Sequence, residues 1–179
     1  DYEIYSTARR YDSNGDGILS KGEAAKADYL RVSEQTTDLT GVLKIFPNVK
    51  RVSIESGKNK EVTVNNSKIS EIDVYGDYIT ALKGASPKTI RVAVYKQKGT
   101  LDFSKVSGYG KATAFYVVKA NAKKIVMPNT AKLEKVGLSS CGLSKIDTSV
   151  YKNAKELTLD GNNLKSIDLK KNTKLIKKS

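Results

Sequence analysis

The chain has 179 residues, a formal charge of +13, an apolar share of 39% and neither histidine nor tryptophan. That length suits one domain, and the missing histidine excludes Ser-His, Cys-His and His-metal chemistry. The single cysteine, Cys141, cannot form an internal disulfide, and no stretch of about 18 apolar residues exists to span a membrane.

In chain order, "YEIYSTARRY" comes first. Tyr2, Tyr5, Ala8 and Tyr11 recur at helical spacing, so the segment is predicted to be a helix entering the loop that follows. "DSNGDGILSKGE" follows. Asp12, Asn14 and Asp16 occupy positions 1, 3 and 5 of a twelve-residue loop, Gly17 position 6, Ile18 position 7, Ser20 position 9 and Glu23 position 12. A hard cation takes six to eight oxygens, and alternating short side chains, the Ile18 carbonyl and a long terminal carboxylate offer them, while glycine permits the sharp turn. The expectation is Ca²⁺ at Asp12, Asn14, Asp16, Ile18, Ser20 and Glu23, in an EF-hand-like loop whose Leu19 packs onto the body. A metal-free Asn/Asp/Gly turn is the plainer reading. Only one such loop exists, so a structural staple is favoured over a paired, groove-opening switch. "KGEAAKADY" is predicted to make a short exit helix.

From residue 30 onward the pattern is periodic. Leu30/Val32, Val52/Ile54, Ile72/Val74, Val92/Val94, Phe115/Val117, Val136/Leu138 and Leu157/Leu159 recur at 20 to 23 residues, and Pro47 and Pro87 each precede an equivalent valine by five. Such a rung cannot bury its apolar face alone, whereas stacked rungs form a parallel sheet over a continuous core. Within "KVSGYGK", two glycines around Tyr109 point either to a contact loop bulging from the stack or to a tolerated insertion. "AKELTLDGNNLKSIDL" is the clearest rung, with Asn162 in an L-x-L-x-x-N-x-L-x-x-I frame. Cys141 holds the equivalent slot one rung earlier and is expected to be a buried filler. "KNTKLIKKS" begins one more rung and leaves it incomplete, as in a longer protein or an end that meets a partner.

The chain resembles the secreted or surface-attached leucine-rich-repeat proteins of Gram-positive bacteria. "YDSNGDGILSKGEA" before the first rung and the pattern L-x-L-x-x-N-x-L-x-S-x-D-L-x-x-N-T-x-L near the end carry the resemblance. It implies an α/β solenoid of about seven rungs, with residues 1–29 as an EF-hand-like calcium-binding cap and 30–179 as the leucine-rich-repeat stack. It also implies an extracellular or cell-surface location and binding through the strand side.

On that side Tyr75, Tyr95 and Tyr116 are predicted to lie outward on successive rungs, with Tyr75 and Tyr95 in one column and Arg91 and Lys135 as neighbours. Exposed tyrosines make good anchors, and tyrosine also suits strands for their own sake; the two readings weigh equally. The excess lysine is expected on the turns and back, as a scattered solvated surface with a general attraction to polyanions. The function expected is a non-enzymatic binding module for a protein or surface-glycan ligand, with no specific nucleic acid target. The alternative is a structural, wall-associated repeat segment held by basic charge.

Overall fold

In the computed structural model, residues 1–178 are described. They form helices α1 (Tyr2–Tyr11) and α2 (Lys21–Ala24), strand β1 (Tyr29–Val32) and helix α3 (Thr40–Ile45). Strands β2 (Arg51–Gly57), β3 (Glu61–Thr63), β4 (Glu71–Gly76), β5 (Ala81–Lys83), β6 (Thr89–Val94) and β7 (Lys98–Asp102) follow. The last are β8 (Ala114–Val118), β9 (Asn121–Val126), β10 (Lys135–Ser139), β11 (Glu156–Thr158) and β12 (Lys177–Lys178).

The alternation along each strand decides which way it faces. In β2, Val52 and Ile54 are fully buried while Arg51 is exposed. The same holds for Leu30 and Val32 in β1 and Ile72 and Val74 in β4. Each such side chain contributes roughly 1.5–3 kcal/mol on burial. One strand cannot exclude water from that face, so successive strands stack in register and all pair parallel, in the order β1-β2-β4-β6-β8-β10-β11-β12. The result is a parallel β-solenoid of about six turns. On the return side, β3 pairs with β5 and β7 with β9.

The molecule is mostly sheet, which corrects the α/β expectation. Beyond the two cap helices, the described residues hold only the six-residue α3 and two 3-10 turns, at Thr130–Lys132 and Thr148–Tyr151. Segments such as "EVTV" place Val62 and Val64 in the core, and their β-branched side chains favour extended backbone.

The register also corrects the repeat. Ile72 pairs with Ile90 and Val74 with Val92, not with Val92 and Val94. The steps are therefore 22 residues (30 to 52), 20 (52 to 72), 18 (72 to 90), 25 (90 to 115) and 21 thereafter (115 to 136 to 157). A two-residue slip keeps every side chain on its own face, so apolar periodicity alone is blind to it. Pro87 accordingly stands three residues before its core position, whereas Pro47 stands five before Val52.

The 25-residue step holds "KVSGYGK", which does not bulge outward. Tyr109 is fully buried, with its ring centroid 6.0 Å from that of Phe103 and 5.5 Å from that of Phe115, and its hydroxyl donates to the Thr80 carbonyl at 2.7 Å. Gly108, at φ +88°, passes so close to Leu82 that a Cβ there would lie 2.5 Å from the Leu82 carbonyl oxygen. Only glycine allows that approach.

The cap helices close the β1 end. Asp1 caps α1 and reaches across to Ser33 N–H (3.0 Å) and to the Thr36 hydroxyl (2.6 Å). Ile4, Ala8, Tyr11 and Leu19 pack onto the core, while Tyr2 and Tyr5 are exposed at 77% and 60%. The inward stripe of α1 is thus Ile4–Thr7–Ala8–Tyr11, which shares Ala8 and Tyr11 with the spacing in the sequence but not Tyr2 and Tyr5. At the other end β12 pairs with β11, and Leu157, Leu159, Leu164 and Leu169 line a cavity of about 520 Å³.

Candidate functional site

The acidic loop is bent by its own side chains. Asp12 accepts from Gly15 N–H at 2.8 Å and from Gly17 N–H at 3.0 Å. Asn14 Oδ1 accepts from Asp16 N–H at 3.1 Å, and Asp16 Oδ1 from Ile18 N–H at 2.7 Å. Gly15 and Gly17 take φ of +73° and +81°, so the two turns cost little there.

Glu23 is 95% buried by area, being 5% exposed, and its carboxylate is held at both oxygens. Oε1 accepts from Ser13 N–H (2.8 Å) and Oγ (2.9 Å), and Oε2 from Ser20 N–H (3.0 Å) and Oγ (2.8 Å). Ser20 Oγ in turn accepts from Glu23 N–H at 3.3 Å, a capping box that starts α2. The Ser20 hydroxyl and amide, then those of Ser13, hold the Glu23 carboxyl down at about 2. Among the described residues no group of three or more Cys, Asp or Glu gathers as a metal cluster. The donor chemistry nevertheless suits a hard cation: Asp12, Asn14, Asp16, Ser20 and Glu23 supply side-chain oxygens and Ile18 a carbonyl on one twelve-residue loop. Each Glu23 oxygen already accepts two hydrogen bonds, so a cation there competes with the two serine hydroxyls.

The outer face of the sheet carries a transverse row in register: Arg31, Ser53, Asp73, Arg91, Tyr116, Gly137 and Thr158. Parallel strands about 4.8 Å apart bring these side chains into contact. Asp73, 2% exposed, takes Arg51 Nε at 3.0 Å and Nη2 at 2.5 Å on one oxygen and Arg91 Nη1 at 3.4 Å on the other. The Arg91 guanidinium lies 5.1 Å from the Tyr116 ring centroid. That ring covers Gly137, where a Cβ would fall 2.4 Å from Tyr116 Cδ1. Lys135 pairs with Glu156 at 3.1 Å. Arg91, Lys135 and Tyr116 are therefore tied into the face.

Tyr75 and Tyr95 do not share a column. Tyr75 is in register with Ala93, and Tyr95 follows β6, with its N–H on the Gly76 carbonyl at 2.9 Å. Tyr116 lies two positions the other way. Tyr75 and Tyr95 still meet at a shallow concavity of about 390 Å³ with Glu34, Glu55 and Asp77. Tyr95 is 53% exposed, and partial burial raises the Tyr75 hydroxyl above its ordinary pKa. Nothing in the sequence pattern marked Glu34. Glu34 joins the concavity because the turn after β1 folds over Gly57, where a Cβ would fall 1.6 Å from Glu34 Oε2, and Asp77 because it directly follows β4, its N–H on the Gly57 carbonyl at 2.7 Å.

The slot positions behave as a ladder. Asn162 Oδ1 accepts from Cys141 N–H and Leu143 N–H, both at 3.1 Å, and its Nδ2 donates to the Leu159 carbonyl at 2.8 Å. Cys141 is fully buried, its Sγ 3.3 Å from the Val117 carbonyl, and burial pushes the thiol up to about 11. No family model, curated protein or solved structure matches the chain. No helix of the described residues is long and apolar enough to cross a membrane.

Proposed function

We propose that this chain is a non-enzymatic binding module of the leucine-rich-repeat kind, extracellular or at a cell surface, with a structural Ca²⁺ in its cap. The observation that carries this reading is the outer face of the eight-stranded sheet, which runs the length of the stack with charged and aromatic side chains outward, the α-helices of the described residues lying toward the β1 end. The binding spot is the Tyr75–Tyr95 concavity, because its tyrosines are not locked under a neighbouring side chain as Tyr116 is. The Asn162 ladder supports the repeat type, and the oxygen set from Asp12 to Glu23 supports the metal. Bound calcium would hold α1 and α2 against the first rung and stabilise the fold by mass action.

Immobilised protein should capture a ligand from bacterial or host surface extracts, and a Tyr75→Ala/Tyr95→Ala variant should fail to do so while keeping its unfolding midpoint. Equal capture by both proteins would move the site elsewhere. Calorimetry with Ca²⁺ tests the metal independently: heat is expected from the parent and not from Glu23→Gln. A second reading, a wall-associated repeat held by charge, draws on the exposed Lys123, Lys124 and Lys145 of the return side. Salt-reversible retention on isolated cell wall, unaffected by the tyrosine changes, would favour it.

A further inference from the structure

The return-side sheet stops at β9, whereas the main sheet continues through β10, β11 and β12. After Ala122 N–H donates to the Cys141 carbonyl at 3.1 Å, the next rung turns away, with Ser140 and Gly142 at φ of +54° and +71°. Among the described residues no backbone hydrogen bond joins Lys123–Val126 to Gly142–Asp147. The Val126 carbonyl accepts from Phe103 N–H at 2.8 Å and so faces β7. Successive residues of a strand aim their N–H and C=O groups to opposite sides, so those of Ile125 face away from β7. An unpaired strand edge of this kind is a template for another strand.

Beside this edge runs a cleft of about 610 Å³. Ile125, Met127, Leu143 and Ile146 give it an apolar floor, and Val150, 44% exposed, forms a lip. Lys123, Lys124 and Lys145 rim it, and none of the three makes an ion pair among the described residues. The one lining acid, Asp147, is engaged by Ser149 N–H (3.0 Å) and hydroxyl (2.6 Å).

We propose that an extended acidic peptide segment of a partner protein docks here as an added strand alongside β9. Side chains alternate along a strand, so apolar residues at every second position would meet the floor and acidic residues between them the lysine rim. The four β9 residues Lys123–Val126, unpaired on the open side, give roughly 13 Å of edge, enough to pair with about four peptide residues. Lysines on an open edge also deter pairing with a like copy of the chain, so the same charge selects against self-association and for an acidic partner. This surface lies on the opposite wall from the Tyr75–Tyr95 concavity and does not depend on it.

The probe is a fluorescent octapeptide of alternating Asp and Val, titrated by anisotropy into the full chain. Saturable binding is expected. It should weaken at least tenfold in a Lys123→Ser/Lys124→Ser/Lys145→Ser variant, and at least tenfold when alternate peptide amides are N-methylated. The Ile125 amide should exchange more slowly with peptide bound. Equal binding of the N-methylated peptide, or of a Lys–Val octapeptide, would overturn strand addition. So would an absence of binding, or self-association of the protein that competes with the peptide, which would give the edge to a second copy.

Discussion

Replacing Tyr109 tests the placement of the loop between β7 and β8. Its ring packs against both Phe103 and Phe115, and its hydroxyl reaches the carbonyl of fully buried Thr80. Tyr109→Phe keeps the ring and removes the hydroxyl. The Thr80 carbonyl then loses a donor inside the core, which costs about 1–3 kcal/mol. Tyr109→Ala also removes the ring and leaves a cavity flanked by two aromatics, for about 3–5 kcal/mol in all. Urea unfolding followed by circular dichroism and by tyrosine fluorescence measures both, provided the two probes give coincident transitions. The order expected is parent, then Tyr109→Phe, then Tyr109→Ala, with unchanged urea dependence. If Tyr109→Ala unfolds within about 0.5 kcal/mol of the parent, as an exposed position does, the loop hangs outside the stack and the 25-residue step is misread.

Acid should loosen the cap. The Glu23 carboxyl sits at about 2 in the folded chain against an ordinary value of 4.5, so its stabilisation is complete above about pH 4.5 and is lost as pH falls toward 2. In metal-free buffer Glu23→Gln should show a shallower loss over that window; a profile identical to the parent's would disprove the serine clamp. Asp73→Asn should cost about 1–3 kcal/mol in urea unfolding, because the amide carries no charge and keeps only one acceptor oxygen for Arg51 and Arg91. No change in midpoint would show that the row across the outer face contributes nothing. Cys141, buried and held protonated, should resist iodoacetamide at pH 8 until denaturant is added; rapid labelling of the folded chain would place it outside the ladder.

Local pattern was enough for the coil and its polarity. The steps from Leu30 to Val52 to Ile72 and from Phe115 to Val136 to Leu157 stand in the register that their spacing implied, because the side-chain period of a strand is local and burial enforces it. The Asn/Asp/Gly turns between Asp12 and Ile18 were likewise legible, since their hydrogen bonds span only a few consecutive residues. Packing between distant segments settled the remainder. The slip that sets Ile90, rather than Val92, beside Ile72 keeps the same face inward, so periodicity could not reveal it. Tyr109 reads as a polar turn residue until the wide rung needs an aromatic to fill it. Tyr116 and Arg91, 25 residues apart along the chain, became one stacked pair only when β6 and β8 lay side by side. The open edge of β9 exists because the following rung is narrower on that side, a property of two neighbouring turns that neither segment carries alone.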